Sequence, residues 1–248
     1  MADAWDILPD EERTADTVTT FIIFCEDKVS EPTYFEGFQT IAGKLKVNIV
    51  PEQKHGSAHL NNAVAYCLDK GLLEVAAGIH KIKDGVTQHL WCVYDRDLEH
   101  ENIALINPVN DIDFTNSINT AVTTGLKVAW SNDAFELWIL LHFENVPVGQ
   151  RLHRRYIYDR LTDIFRNLPN PSLELAKKIN NPLFDYKETM KSGHNFLMFV
   201  KPLLESRRPD AIGRAKTLEA VYKPTDAFHD RNPCTMVHHL VESLVSFQ

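Results

Sequence analysis

Apolar and polar positions along the chain change rhythm about half-way. In the first 145 residues, short apolar runs alternate with stretches of helical spacing. The runs at 19–25 (TTFIIFC), 46–50, 90–94 (LWCVY) and 126–130 (LKVAW) are rich in β-branched and aromatic residues. Such short runs, bounded by turn residues, predict four buried strands of a parallel sheet. Between them, Tyr34, Phe35, Phe38, Ile41 and Leu45 follow helical spacing and predict a helix over about 31–44. Ser30 is its expected N-cap, and Pro32 is tolerated in its first turn. Further helices are predicted over about 58–77 and 111–124, and from just after Asp133 through His142. Alternation of this kind implies an α/β fold with right-handed crossovers.

The second half reads as amphipathic helices at 151–168, 188–207, 211–222 and 234–247, separated by Pro- and Asn-rich turns. No strand is expected there. The expected division is a flexible N-terminal arm (1–17), an α/β domain (18–145) and a helical region (146–248) packed on or beside it.

Composition narrows the function classes. The 248 residues are 44% hydrophobic and 24% charged, as in ordinary globular chains. No run approaches the roughly 18 apolar residues of a membrane span, so no membrane partner is expected. The acidic, polar N-terminus lacks signal-peptide regions and points to the cytoplasm. Four scattered cysteines form no CxxC pair, which argues against a cysteine zinc site. The net charge of −8 counts against nucleic-acid binding through bulk positive charge. It counts less against a metal-dependent phosphodiesterase, whose site must gather carboxylates.

Asp95 and Asp97 end the third expected strand, at the sheet edge where α/β proteins bind ligands. In an extended chain they share one face, and paired hard oxygen donors suit Mg²⁺ or Mn²⁺. A lone DxD can equally be a solvated charged turn. Glu26 ends the first strand, however, and Asn132 follows the fourth, with Glu136 one turn into the next helix. In a parallel sheet these ends lie on one edge, and carboxylates so placed can bind divalent ions for phosphoryl chemistry. Asp133 with Glu136 also fits a capping box, so helix capping and catalytic support are both open for Glu136.

FIIFCEDKVSEPTYFEGF resembles the opening of RloB-like proteins: a strand, Glu-Gly-x-Thr-Glu, then a Tyr/Phe-rich helix. VYDRD is similar to their DxD strand, and SNDAFELWILLHFE to their Ser-Asn-Pro-x-Phe-Glu-x-Trp-x-Leu-Leu-His-Phe block. NPCTMVHHLVESL resembles their C-terminal Asn-Pro-x-Thr-x-Val helix. The resemblance covers nearly the whole chain. It implies a Toprim-type domain, the fold of topoisomerase, primase and OLD-type nuclease active sites. It also implies phage defence, because the family is often encoded beside restriction–modification genes. On it, Glu26 is metal ligand or general acid/base, and Asp95 and Asp97 bind metal; Glu31 and Glu136 are then expected as secondary ligands or positioning groups. Mg²⁺ or Mn²⁺ is the implied cofactor, and DNA or RNA the implied substrate. Asp27 departs from the usual glycine, Ser30 from a frequent acidic residue, and Asp133 from the commoner proline. These departures motivate a second reading, a non-catalytic binding or regulatory subunit of a defence complex.

Other candidates are weaker. His55-x-x-x-His59 has helical metal-ligand spacing but no zincin glutamate. His238 and Glu242, at i, i+4, suggest a solvated pair. His142, on an apolar helix, is either a hydrogen-bonded core residue or a positioning group. Arg151, Arg154 and Arg155 surround His153 and Tyr156, either as a solvated helix face or as phosphate contacts beside a stacking aromatic. No GxxxxGK[ST] loop occurs, so NTP-driven work would need a partner ATPase.

Overall fold

The structure, a computed structural model, describes residues 18–39, 44–51 and 53–247. The arm expected at 1–17 lies outside the described residues. The expected parallel sheet is present. β1 (Thr19–Phe24), β2 (Leu45–Val50), β5 (His89–Asp95) and β6 (Lys127–Asn132) are joined in the order β2-β1-β5-β6, all parallel. β5 lies in the interior of the sheet and is buried from Leu90 to Tyr94. A continuous apolar run is what a strand covered on both faces requires.

Period-two alternation divides the core between those faces. Phe21, Ile23, Trp91 and Val93 point to one side and pack with α1 (Ser30–Glu36) and the C-terminal helices. Ile22, Phe24, Cys92 and Tyr94 point to the other, against α2 (Gly56–Asp69) and α3 (Pro108–Thr124). α4 (Glu136–Leu141) is buried at every position; past Glu136 it is apolar all round, as a buried helix is. α5 (Arg154–Arg166), α6 (Leu173–Ile179) and α7 (Tyr186–Met190) follow. Then come α8 (Gly193–Asn195), a π-helical turn, α9 (Lys201–Glu205) and α10 (Arg208–Glu219). All four cysteines are free and buried. No helix among the described residues is long and apolar enough to cross a membrane.

The helix expected over 188–207 is interrupted between Met190 and Gly193. Three more expectations fail. The helix expected over 58–77 stops at Asp69, and a hairpin of β3 (Leu73–Ala76) and β4 (Ile79–Ile82) follows. Gly71 (φ 68°) ends the helical path, and Ala77 and Gly78, both at positive φ, make the two-residue turn that suits a twisted hairpin. Second, the C-terminal half does contain a strand, β7 (Cys234–Thr235), antiparallel to β6 at the sheet edge. A two-residue strand has no periodicity to detect, and its partner lies about a hundred residues earlier. α11 (Val237–Val245) follows it. Third, α1 is capped by Asp27, not Ser30. The Asp27 carboxylate accepts the N–H groups of Val29, Ser30 and Glu31 at 3.0–3.2 Å, while Ser30 is itself helical and buried. The helix ends at Glu36, and 40–43 of the expected span lie outside the described residues.

Candidate metal centre

Parallel strands deliver their carboxyl ends to one edge, and the chemistry gathers there. Just past β1, Glu31 Oε2 accepts the N–H groups of Glu26 and Asp27, at 2.8 and 3.3 Å. This holds the turn that presents Glu26. Glu26 Oε2 in turn accepts the Asp95 N–H at 3.1 Å, tying the end of β1 to that of β5. Its other oxygen bonds His55 Nδ1. His55 follows the end of β2 as N-cap residue of α2, and its Nδ1 also lies 3.3 Å from Asp97 Oδ2. Ligand atoms of Glu26, His55 and Asp97 all fall within 4.8 Å of one another.

The two aspartates of the DxD do different things. The extended chain ends at Asp95, and Asp97 adopts φ 52°, so the expected shared face is lost. The Asp97 N–H is held by the Asp133 carbonyl at 3.0 Å, which turns its side chain toward His55 and Arg154. Asp95 stays inside. Its Oδ2 accepts the Phe135 N–H at 2.9 Å, and its Oδ1 is buried without a partner. Burial, then the charges of Glu26 and Asp97, push the Asp95 carboxyl well above the usual range. Glu31 is pushed the same way by burial and by Asp95 and Asp27, and its Oε1 also lacks a partner. Glu26 is raised by burial against the opposing pull of His55, while the hydrogen bond to Glu26 raises His55. Crowded buried carboxylates with free oxygens favour protons or cations. The donors present fit a divalent ion.

Arg154 braces this cluster from α5. It pairs with Asp97 and, at 2.7 Å, with Asp133 Oδ1. Asp133 is fully buried and also accepts the Leu98 N–H at 2.6 Å and the Arg154 N–H at 2.6 Å. Its carboxylate is therefore committed to the 97–98 turn and to α5, and the expected capping box with Glu136 does not form. Glu136 instead accepts from Tyr158 at 3.2 Å and faces the Lys191 ammonium at 2.8 Å. It stands close enough to raise Asp95 but outside the Glu26–His55–Asp97 set.

The remaining candidates scatter. Arg151 is tied to Asp111 at 3.3 Å and to the His229 carbonyl at 2.7 Å, whereas Arg155 is exposed and paired with Glu101 at 2.9 Å. With Arg154 turned inward, the three arginines form no common basic face. Asn132 is buried, bonding the His229 carbonyl and Asn232. His142 is a core residue: its Nδ1 meets the Trp138 carbonyl at 2.8 Å, and burial lowers its pKa to about 4. His59 packs against Tyr94 inside the core, and His55 joins Glu26 and Asp97, not His59, so the helical pair is not the donor set found. A cleft of about 320 Å³ opens beside the cluster, lined by His55, Asp95, Arg96, Asp97 and Asn110 among others.

Sequence reasoning missed His55 as a member of the cluster. The available signal was its position just past β2, since every parallel strand ends on the same edge. It also missed Asp133 and Lys191, whose partners lie far away in sequence.

A family model described as RloB-like protein matches residues 21–244. The chain belongs to the RloB-like family. No curated protein and no solved structure matches it. The matched span of this RloB-like chain runs from β1 into α11, so it takes in both the strand ends that carry the cluster and the helix that supplies Arg154.

Proposed function

We propose that this RloB-like chain is a divalent-metal-dependent phosphodiesterase of Toprim type that cuts nucleic acid, in a phage-defence setting. The observation that carries the reading is the convergence of Glu26, His55 and Asp97 beside the unpartnered, buried oxygen of Asp95. Glu26, His55 and Asp97 would hold the ion, with Asp95 Oδ1 as a further donor. A bound Mg²⁺ or Mn²⁺ supplies Lewis-acid polarisation of a phosphoryl oxygen and of water. An imidazole donor favours Mn²⁺ over Mg²⁺. Arg154 orients Asp97, and Glu31 orients Glu26 through the β1–α1 turn.

The test is a cleavage assay on single- and double-stranded DNA, RNA and tRNA, in EDTA, Mg²⁺ or Mn²⁺, with the Asp95→Ala/Asp97→Ala double variant alongside. Metal-dependent cutting by the wild type and none by the variant is expected. Equal cutting by both would refute the assignment.

One observation favours a second reading, a non-catalytic binding or regulatory subunit: Asp97 is already neutralised by Arg154. Under that reading the melting temperature would not respond to Mg²⁺ or Mn²⁺, because only a ligand of the native state stabilises it.

A further inference from the structure

A second group of metal-type donors lies where α10 meets α11. Glu219 is the last residue of α10, and His238 and His239 open α11 just past β7. His238 Nε2 lies 2.9 Å from Glu219 Oε2, and His239 Nε2 lies 3.0 Å from the same oxygen. One ligand atom from each residue falls within 4.8 Å of the other two.

Both ring nitrogens of His238 face acceptor oxygens, so a positive centre, a proton or a metal ion, belongs there. Its Nδ1 lies 3.1 Å from the Thr235 carbonyl oxygen, which can only accept, so Nδ1 carries the ring proton. In the neutral ring Nε2 is then a lone pair, and it faces a carboxylate oxygen that is also an acceptor. A positive centre between them resolves the clash. His238 is fully buried, so its ring is held in place. A backbone carbonyl that fixes the tautomer and aims Nε2 outward is the usual support of a metal-bound histidine.

We propose that Glu219, His238 and His239 form a binding site for a borderline divalent ion of the Zn²⁺, Co²⁺ or Ni²⁺ class. Two imidazoles and one carboxylate match that class and leave a coordination position free. His239 also lines a cleft with Trp91, Lys127 and Ser243, so the outer side of the site is open. The ion clamps the start of α11 to the end of α10, a structural role separate from the Glu26–His55–Asp97 cluster and independent of the reading given to it.

The experiment uses the full chain carrying His55→Ala/Asp97→Ala, which silences the other cluster. After EDTA treatment and dialysis, Co²⁺ is titrated and followed by its visible absorption, and Zn²⁺ binding is measured by calorimetry. The proposal expects one bound ion per chain and a rise in melting temperature with Zn²⁺. Adding His239→Ala or Glu219→Gln should weaken binding at least tenfold, with the circular dichroism of the metal-free protein unchanged. Absence of Co²⁺ and Zn²⁺ binding in the His55→Ala/Asp97→Ala background would overturn it. So would binding that both added substitutions leave unaltered.

Discussion

Replacing His59 by Phe isolates one electrostatic consequence of the fold. His59 is completely buried in α2, its ring centroid 4.4 Å from that of Tyr94, and neither ring nitrogen has a hydrogen-bond partner. Burial, with a smaller contribution from His55, lowers its pKa from 6.5 to about 3. As pH falls through about 6.5 the unfolded chain takes up a proton that the folded chain refuses until near pH 3. The stability linked to this group is therefore complete above about pH 6.5 and is lost progressively below it. At about pH 5 the loss is close to 1.5 pH units of linkage, or about 2 kcal/mol at roughly 1.4 kcal/mol per unit. Phenylalanine cannot protonate. Whatever packing offset its ring introduces is independent of pH and cancels when two pH values are compared. The stability of His59→Phe relative to wild type should therefore improve by about 2 kcal/mol between about pH 7.5 and about pH 5. In melting temperature that is roughly 4–8 °C for a chain of this size. Urea melts followed by circular dichroism, on both proteins in EDTA at both pH values, measure the difference. An offset that stays the same at the two pH values would refute the argument.

Two further outcomes follow from the site. Arg154→Ala leaves the fully buried Asp133 carboxylate without its cation and should cost about 3–5 kcal/mol, read as a drop in the urea midpoint. Arg155→Ala, which removes only an exposed pair with Glu101, should stay within about 0.5 kcal/mol; equal effects from the two would deny the brace. Asp95→Asn should stabilise the metal-free protein by about 1–3 kcal/mol near neutral pH, the scale of relieving an unsatisfied buried group. Because the folded carboxyl is raised, that gain shrinks as pH falls toward the ordinary carboxylate range. Lower stability of Asp95→Asn in EDTA at neutral pH would contradict it.

The sequence by itself determined the four parallel strands. Their apolar runs are dictated by burial on both faces, a property each strand carries locally. It also determined that Glu26 and Asp95 would meet, because parallel strands must place their carboxyl ends on one edge whatever else the fold does. Tertiary structure decided what each carboxylate is for. Asp97 leaves the expected face because its N–H is bound by the Asp133 carbonyl. Asp133 serves Leu98 and Arg154, not its own helix, and Glu136 turns to Lys191 and Tyr158. Of the arginines read as a basic face, Arg154 is drawn inward because the buried Asp133 carboxylate needs a counter-charge, while Arg155 stays exposed. The hairpin at 73–82, the short strand β7 and the pairing of His238 with Glu219 in place of Glu242 have the same origin. Each depends on contacts between residues distant in sequence or on glycine-bearing turns, and periodicity along one segment carries no record of what that segment will meet.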